Sequence, residues 1–181
     1  MAWARSSSHL FHSQMKKVGT PATAVFKSPL GWIEIAATSK GICGVTFVRS
    51  ARRGVSRYAP TKNVERLLKK AISELRNFFS GRRHAFSVPL DLVGTAFQKR
   101  VWRALRRVPF GKVVTYGELA VRAGFPHSAR AVGSAMRQNP LCIIVPCHRV
   151  VPSVPRGAIG KYSAGVAKKK WLLKHEKKFD F

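Results

Sequence analysis

A cysteine and a histidine stand side by side at Cys147 and His148, within the stretch IVPCHRVV at residues 144–151. A thiol that has lost its proton is a soft nucleophile, and an imidazole can take that proton near neutral pH. Cysteine is also often buried and inert, so the pair alone fits an ordinary core position about as well. A third group shifts that balance. The chain has only 7 Asp and Glu, and one of them, Glu176, closes the helical stretch WLLKHE. A carboxylate against an imidazole fixes its tautomer and raises its basicity. Cys147, His148 and Glu176 therefore have the types of a nucleophile, a base and an orienting group. Successive side chains of an extended chain point to opposite sides. A proton would thus pass from Cys147 to His148 through a bridging water.

Several elements must position these groups. The apolar run LCIIVPCHRVV reads as a buried strand that opens at Pro146, where the ladder loses a donor. Before it, TAFQKRVWRALRRVPFG places Phe97, Val101, Trp102, Leu105 and Val108 on one helical face, with Lys and Arg on the other. Next, Thr115 and Glu118 form a T-x-x-E capping box, and Gly124 stops that helix. A tight turn, FPH, leads to SARAVGSAMRQNP, a helix that Ser128 can cap and Pro140 ends. Two short helices in this order, the second bearing Arg130 and Arg137, suggest a helix-turn-helix. Ala129, Ala131, Gly133, Ser134 and Ala135 keep the second helix slim. That allows close approach of a neighbouring helix or of a nucleic-acid backbone. In the last helix, Trp171 and Leu172 are expected to face inward.

The N-terminal part carries no comparable chemistry. ATAVFKSPLGWIEIAATSKGICGVTFV reads as three strands, turning at Pro29 and at Ser39-Lys40-Gly41. NVERLLKKAISELRNFFSG is an amphipathic helix with Val64, Leu67, Leu68, Ala71, Ile72, Leu75, Phe78 and Phe79 on one stripe. Asn63 can cap its start and Gly81 its end. HAFSVPLDL adds one more extended piece. The fold class expected is mixed α/β (α+β): a small N-terminal lobe over residues 21–93 and a DNA-binding domain over 94–177. Residues 1–20 form a basic arm and 178–181 a tail.

Charge narrows the partners. With Lys+Arg 34 against Asp+Glu 7, the formal net charge is +27 in 181 residues. That excess repels itself unless a polyanion is near, and nucleic acid comes before an anionic membrane surface. No stretch approaches the roughly 20 apolar residues that span a bilayer. The arm lacks the apolar centre of a secretory signal. Its basic, Ser-rich, acid-free composition also describes a mitochondrial transit peptide, a lesser alternative to a disordered arm on a nucleic-acid binder. Cys43, Cys142 and Cys147 form no CxxC and no even framework, which fits a reducing compartment. Cys43 is the lobe's only cysteine and a structural zinc usually takes four ligands, so no metal is expected. No dinucleotide-binding or phosphate-loop glycine motif calls for a cofactor.

The ordered set ARAVGSAMRQNP, PCHRVV, GKYSAG and KKKWLLKHE resembles the O6-alkylguanine-DNA alkyltransferases, also called methylated-DNA–protein-cysteine methyltransferases. The likeness is strong over residues 95–176 and holds in outline over the N-terminal lobe. It implies a winged helix-turn-helix-like domain that enters the minor groove of double-stranded DNA and flips out an O6-alkylguanine. The alkyl group would pass once, irreversibly, to Cys147, with His148 taking the thiol proton through water and Glu176 orienting His148. The resemblance further implies that Tyr116 donates to N3 of the guanine and that Arg130 fills the vacated stack. Ser128, Ala129, Gly133 and Arg137 would lie along the DNA, Val150 would read the base edge, and Tyr162 and Ser163 would line the opposite wall. Asn139 and Pro146 would support the turn. No cofactor follows from it. A monomer is expected in solution, with cooperativity on DNA left open. The expected location is the nucleus in a eukaryote, or the cytoplasm and nucleoid in a prokaryote. Ala164 and Lys161 depart from the family's frequent Gly and Asn, and the Ala164 methyl is expected to disfavour bulky alkyl groups.

Overall fold

A computed structural model describes residues 21–51, 59–155 and 157–176 of the chain. The arm expected at 1–20 and the tail at 178–181 lie outside the described residues. The chain divides into two units, cut between Val93 and Gly94.

In the first unit, β1 (Ala22–Ser28), β2 (Gly31–Thr38) and β3 (Gly41–Val48) form an antiparallel sheet in the order β1-β2-β3. The alternating apolar residues bury Phe26, Ile33, Ile35, Ile42 and Val45, as one covered face requires. Helix α1 (Lys62–Phe79) supplies that cover with Val64, Leu67, Leu68, Ala71, Leu75 and Phe78. Its cap is Thr61, whose side chain accepts from Val64 N–H. Asn63, expected to cap, lies one residue inside the helix and donates instead to the Ser39 carbonyl at 3.2 Å. The stretch around Val88 is extended but pairs with the sheet only through a single parallel bridge, Ile42 to Leu90. Buried Glu74 holds it, accepting from Ser87 N–H at 2.9 Å, Ser87 Oγ at 2.6 Å and Arg83 at 3.0 Å.

The second unit begins with α2 (Ala96–Arg106), then β4 (Val114–Thr115), α3 (Tyr116–Arg122), α4 (Ala129–Arg137), a 3-10 turn at Cys147–Arg149, β5 (Val150–Val151) and α5 (Val166–His175). β4 and β5 pair in parallel. Thr95 and Gln98 box the start of α2, as Thr115 and Glu118 box α3. Trp102 is fully buried and donates Nε1–H to the Ala135 carbonyl at 3.0 Å, which fixes α2 against α4. A Cβ on Gly94 would meet the Trp102 ring at 2.7 Å. Only glycine allows that approach.

The α3–α4 pair has the helix-turn-helix arrangement. Gly124 at φ +78 makes the turn, and Arg100 closes over it, with its guanidinium 4.7 Å from the Phe125 ring centroid. Arg100 thus belongs to the turn as well as to the basic face of α2. Ser128 precedes α4 but makes no side-chain cap bond; its hydroxyl donates to the Pro126 carbonyl at 3.4 Å. His127 at φ 63 turns the chain just before it, taking the place of a regular cap geometry.

The largest departure lies in the segment before the cysteine. Residues 141–147 are not a strand. Ile143 adopts a left-handed φ of 72, Val145 N–H reaches the Leu141 carbonyl at 2.8 Å, and Ile144 N–H reaches Cys142 O at 2.9 Å. The apolar residues are buried as expected, but they line a coiled loop. Asn139 supplies the hydrogen bonds that a sheet would otherwise have given.

Candidate active site

Asn139 organises the loop from inside. Its Oδ1 accepts from Leu141 N–H at 3.0 Å, and its Nδ2 donates to the Val145 carbonyl at 2.8 Å and to Cys147 Sγ at 3.1 Å. Pro146 caps the 3-10 turn, and its carbonyl accepts from Arg149 N–H at 2.9 Å. The turn therefore presents Cys147, His148 and Arg149 in succession, all buried. Cys147 and His148 diverge, although not as neighbours on a strand. The thiol points to Asn139, whereas the imidazole goes to Glu176, and among the described residues the two share no hydrogen bond.

His148 Nε2 lies 2.8 Å from Glu176 Oε1. An ionised carboxylate only accepts, so Nε2 carries the hydrogen. Burial holds His148 below its ordinary value, against the raising effect of the Glu176 charge. The ring is then neutral at pH 7, and Nδ1 is its basic nitrogen. Nδ1 is buried and makes no hydrogen bond among the described residues. This is an imidazole with one nitrogen anchored and the other free to take a proton.

The anchor has a partner that the sequence reading missed. Arg149 makes a fork onto Glu176, Nε to Oε2 at 2.9 Å and Nη2 to Oε1 at 2.9 Å, and gives Nη1–H to the Val108 carbonyl at 2.6 Å. Gly111 N–H also donates to Glu176 Oε2, at 3.0 Å. Burial would push the Glu176 carboxyl up, but His148 and Arg149 outweigh it and bring it to about 2. Arg149 is the carboxylate's counter-charge, which leaves His148 free to stay neutral.

Lys169 was missed as well. Its ammonium is fully buried and donates to the Val150 carbonyl at 2.6 Å. Burial lowers it to about 8, partly offset by attraction to the Cys147 thiolate. Its signal was in the sequence: Lys169, Leu172, Leu173 and Glu176 fall at i, i+3, i+4 and i+7, one stripe of α5. Trp171, expected inside, is half-buried and stacks on His175 with centroids 4.8 Å apart.

The cysteine's surroundings favour the thiolate. A hydrogen bond from Cys142, helped by Asn139 and the Lys169 charge, outweighs burial and holds Cys147 below its ordinary value. Tyr116, half-buried at the start of α3, is raised by burial and by the Cys147 charge, so it keeps its proton. A Cβ on Gly133 would touch the Tyr116 ring at 3.8 Å, which places α4 beside that tyrosine. Tyr162 Oη is buried near both Cys142 and Cys147, at hydrogen-bonding geometry to neither. Ser163 lies beside Cys142.

Tyr116, Asn139 and Tyr162 thus lie near the Cys147 thiol and Ser163 lies beside Cys142, while His148 turns away to Glu176. Val150 follows the turn directly: its N–H is bonded to Cys147 O and its carbonyl to Lys169. Ala129, Arg130, Gly133 and Arg137 ride on α4, with Arg130 and Arg137 exposed.

The chain is similar to known proteins over most of its length. Residues 96–178 match the DNA binding domain of 6-O-methylguanine DNA methyltransferase, and residues 22–92 match its ribonuclease-like domain. The methylated-DNA–protein-cysteine methyltransferase of Methanosarcina acetivorans is 39% identical over 84% of this chain and 96% of its own length. That of Mycolicibacterium paratuberculosis is 39% identical over 83% and 89%. A crystal structure of Mycobacterium tuberculosis OGT in complex with DNA superposes with a TM-score of 0.73 at 37% identity, covering 84% of this chain and 91% of that one. Across both of its units, the chain belongs to the 6-O-methylguanine DNA methyltransferase family.

Proposed function

We propose that this protein repairs DNA by taking the alkyl group of an O6-alkylguanine onto Cys147, once per molecule. The observation that carries the reading is a buried cysteine held toward the thiolate, next to a neutral histidine with one nitrogen free. The Cys147 proton passes through a water to His148 Nδ1, while Glu176 and Arg149 keep the ring in place. The sulfur attacks the alkyl carbon, the C–S bond forms and the carbon–O6 bond breaks. The electron pair moves onto the guanine, where Tyr116 donates to N3. The thioether has no easy hydrolytic exit, so the molecule is spent.

A guanine inside a duplex cannot reach Cys147. The exposed, small-residue helix α4 suits the minor groove, with the damaged base flipped into the site and Arg130 filling its place. Tyr162 and Ser163 then bound the base. We take the protein to be a monomer in solution that acts wherever genomic DNA lies. The decisive experiment is to incubate the protein with O6-methylguanine duplex DNA and weigh it. One added methyl on the peptide holding Cys147 is expected, whereas binding with an unchanged mass would make this a lesion binder.

Extruding a base takes a few kcal/mol of lost stacking and pairing. Arg130→Ala is therefore expected to slow repair of duplex DNA far more than reaction with free O6-benzylguanine, which needs no flipping. Equal losses on both substrates would assign Arg130 to the fold.

The charge of +27 gives a second expectation. Duplex binding should fall with salt at a log–log slope of about −0.9 per phosphate neutralised. Reaction with the neutral free base should be almost indifferent to salt. A flat salt dependence of duplex binding would disconnect the charge from DNA.

A further inference from the structure

Two thiols, not one, sit in the site. Cys142 opens the coiled loop and Cys147 ends it, and both are buried. The left-handed Ile143, the Val145 N–H to Leu141 O bond and the Cys147 N–H to Val145 O bond, each at 2.8 Å, fold the intervening chain tightly. Asn139 pins Val145 O and Cys147 Sγ together. The folded loop brings the two thiols near enough for each to shift the other's protonation, and Tyr162 and Ser163 act on Cys142 as well. Alkyl transfer uses only one of them. Cys142 has no step in that reaction.

We propose that Cys142 and Cys147 form a disulfide when the protein meets a hydroperoxide, reversibly masking the alkyl acceptor. The Cys147 thiolate attacks a peroxide oxygen and the O–O bond breaks; the departing oxygen leaves as water after taking a proton. Cys147 becomes a sulfenic acid. The Cys142 sulfur then attacks the Cys147 sulfur, the S–S bond forms, and hydroxide leaves with the Cys142 proton as a second water. Overall, two thiols and hydrogen peroxide give a disulfide and two waters. The roles follow from the surroundings. Cys147 is the readier thiolate, whereas Cys142 is held protonated, chiefly by its bond to Cys147 and by burial. Any path that admits an alkylated base to Cys147 admits the smaller peroxide. Cys43 belongs to the other unit and is pushed up to about 12, first by burial and then by Asp91, so it does not compete. Disulfide formation would also keep Cys147 from sulfinic acid, which is not readily reversed.

The bond itself is independent of the functional reading; its effect on alkyl acceptance rests on that reading. Trypsin would release both cysteines in one peptide, residues 138–149. First, methyl uptake by the fully reduced protein is measured, which tests the functional reading alone. Reduced protein is then treated with hydrogen peroxide, blocked with iodoacetamide and digested. The peptide is expected to lose two hydrogens and take no iodoacetamide. Methyl uptake is expected to drop to background and return with dithiothreitol. In C142S the same treatment should instead add oxygen at Cys147, with uptake no longer restored relative to that variant's own reduced state. Three results would overturn the proposal: an unmodified peptide, oxygen on Cys147 with Cys142 still open to iodoacetamide, or a C142S variant that recovers as fully as the parent.

Discussion

Cys147→Ala is expected to take up no methyl from O6-methylguanine duplex DNA and still to bind the duplex nearly as well as the parent. The two halves have separate physical causes. The acceptor sulfur is the one held toward the thiolate, the soft form that displaces an alkyl group, whereas the neighbouring Cys142 is held protonated, and alanine offers nothing in its place. DNA affinity comes mostly from phosphate contacts, and Cys147 is buried with 5% exposure. The fold should lose on the order of 1 kcal/mol, because Asn139 Nδ2 gives up one of its two acceptors and keeps Val145 O. Intact mass after incubation reads the first half, and fluorescence anisotropy with a labelled duplex reads the second. A methylated Cys147→Ala protein would sink the assignment, because the acceptor would then lie elsewhere.

Glu176→Gln should harm the fold and the chemistry together. The amide keeps the size of the side chain but removes the charge opposite buried Arg149. Breaking a buried pair from one side costs about 3–5 kcal/mol. Gln also offers an N–H where His148 Nε2 and the Arg149 fork already donate, so the imidazole loses its fixed tautomer. Urea unfolding gives the stability loss, and methyl uptake at saturating duplex gives the rate. Acid titration separates this role from general packing. In the native protein Glu176 is lowered from 4.5 to about 2. Its contribution is complete above about pH 4.5 and is lost as pH falls toward 2, roughly 3 kcal/mol in all. Glu176→Gln should flatten that part of the stability profile. An equally steep acid loss in the variant would show that other carboxylates set it.

Regular periodicity made much of this fold legible. The stripe of α1, the capping box at Thr115 and Glu118, and the strands of the first unit follow from local patterns that the packing reinforces. The loop at 141–147 did not, because an apolar run reports burial and not conformation. What decides its shape is one amide, Asn139, reaching three partners around a left-handed Ile143. The nucleophile, base and carboxylate were visible as rare types in a suggestive order. Arg149 was hidden for the opposite reason: one arginine among 34 basic residues carries little signal until its burial is known. Lys168, Lys169 and Lys170 look alike in sequence, and only the phase of α5 singles out the middle one.

Glu176 sits at the end of α5, as its C-cap, with its N–H on the Leu172 carbonyl at 3.0 Å. Its carboxylate closes contacts with Arg149, 27 residues earlier, and with Gly111, 65 residues earlier. Contacts so distant along the chain form only after a long loop has been closed. Until those contacts close, the Cys147 sulfur is an ordinary thiol without an oriented base. Helix ends are also where native structure opens most readily. One turn of α5 unwinding would release His148 from its tether while the rest of the unit stayed folded. The orientation of the base at the acceptor is therefore tied to the last turn of α5, which the buried carboxylate's bonds to Arg149, His148 and Gly111 hold in place.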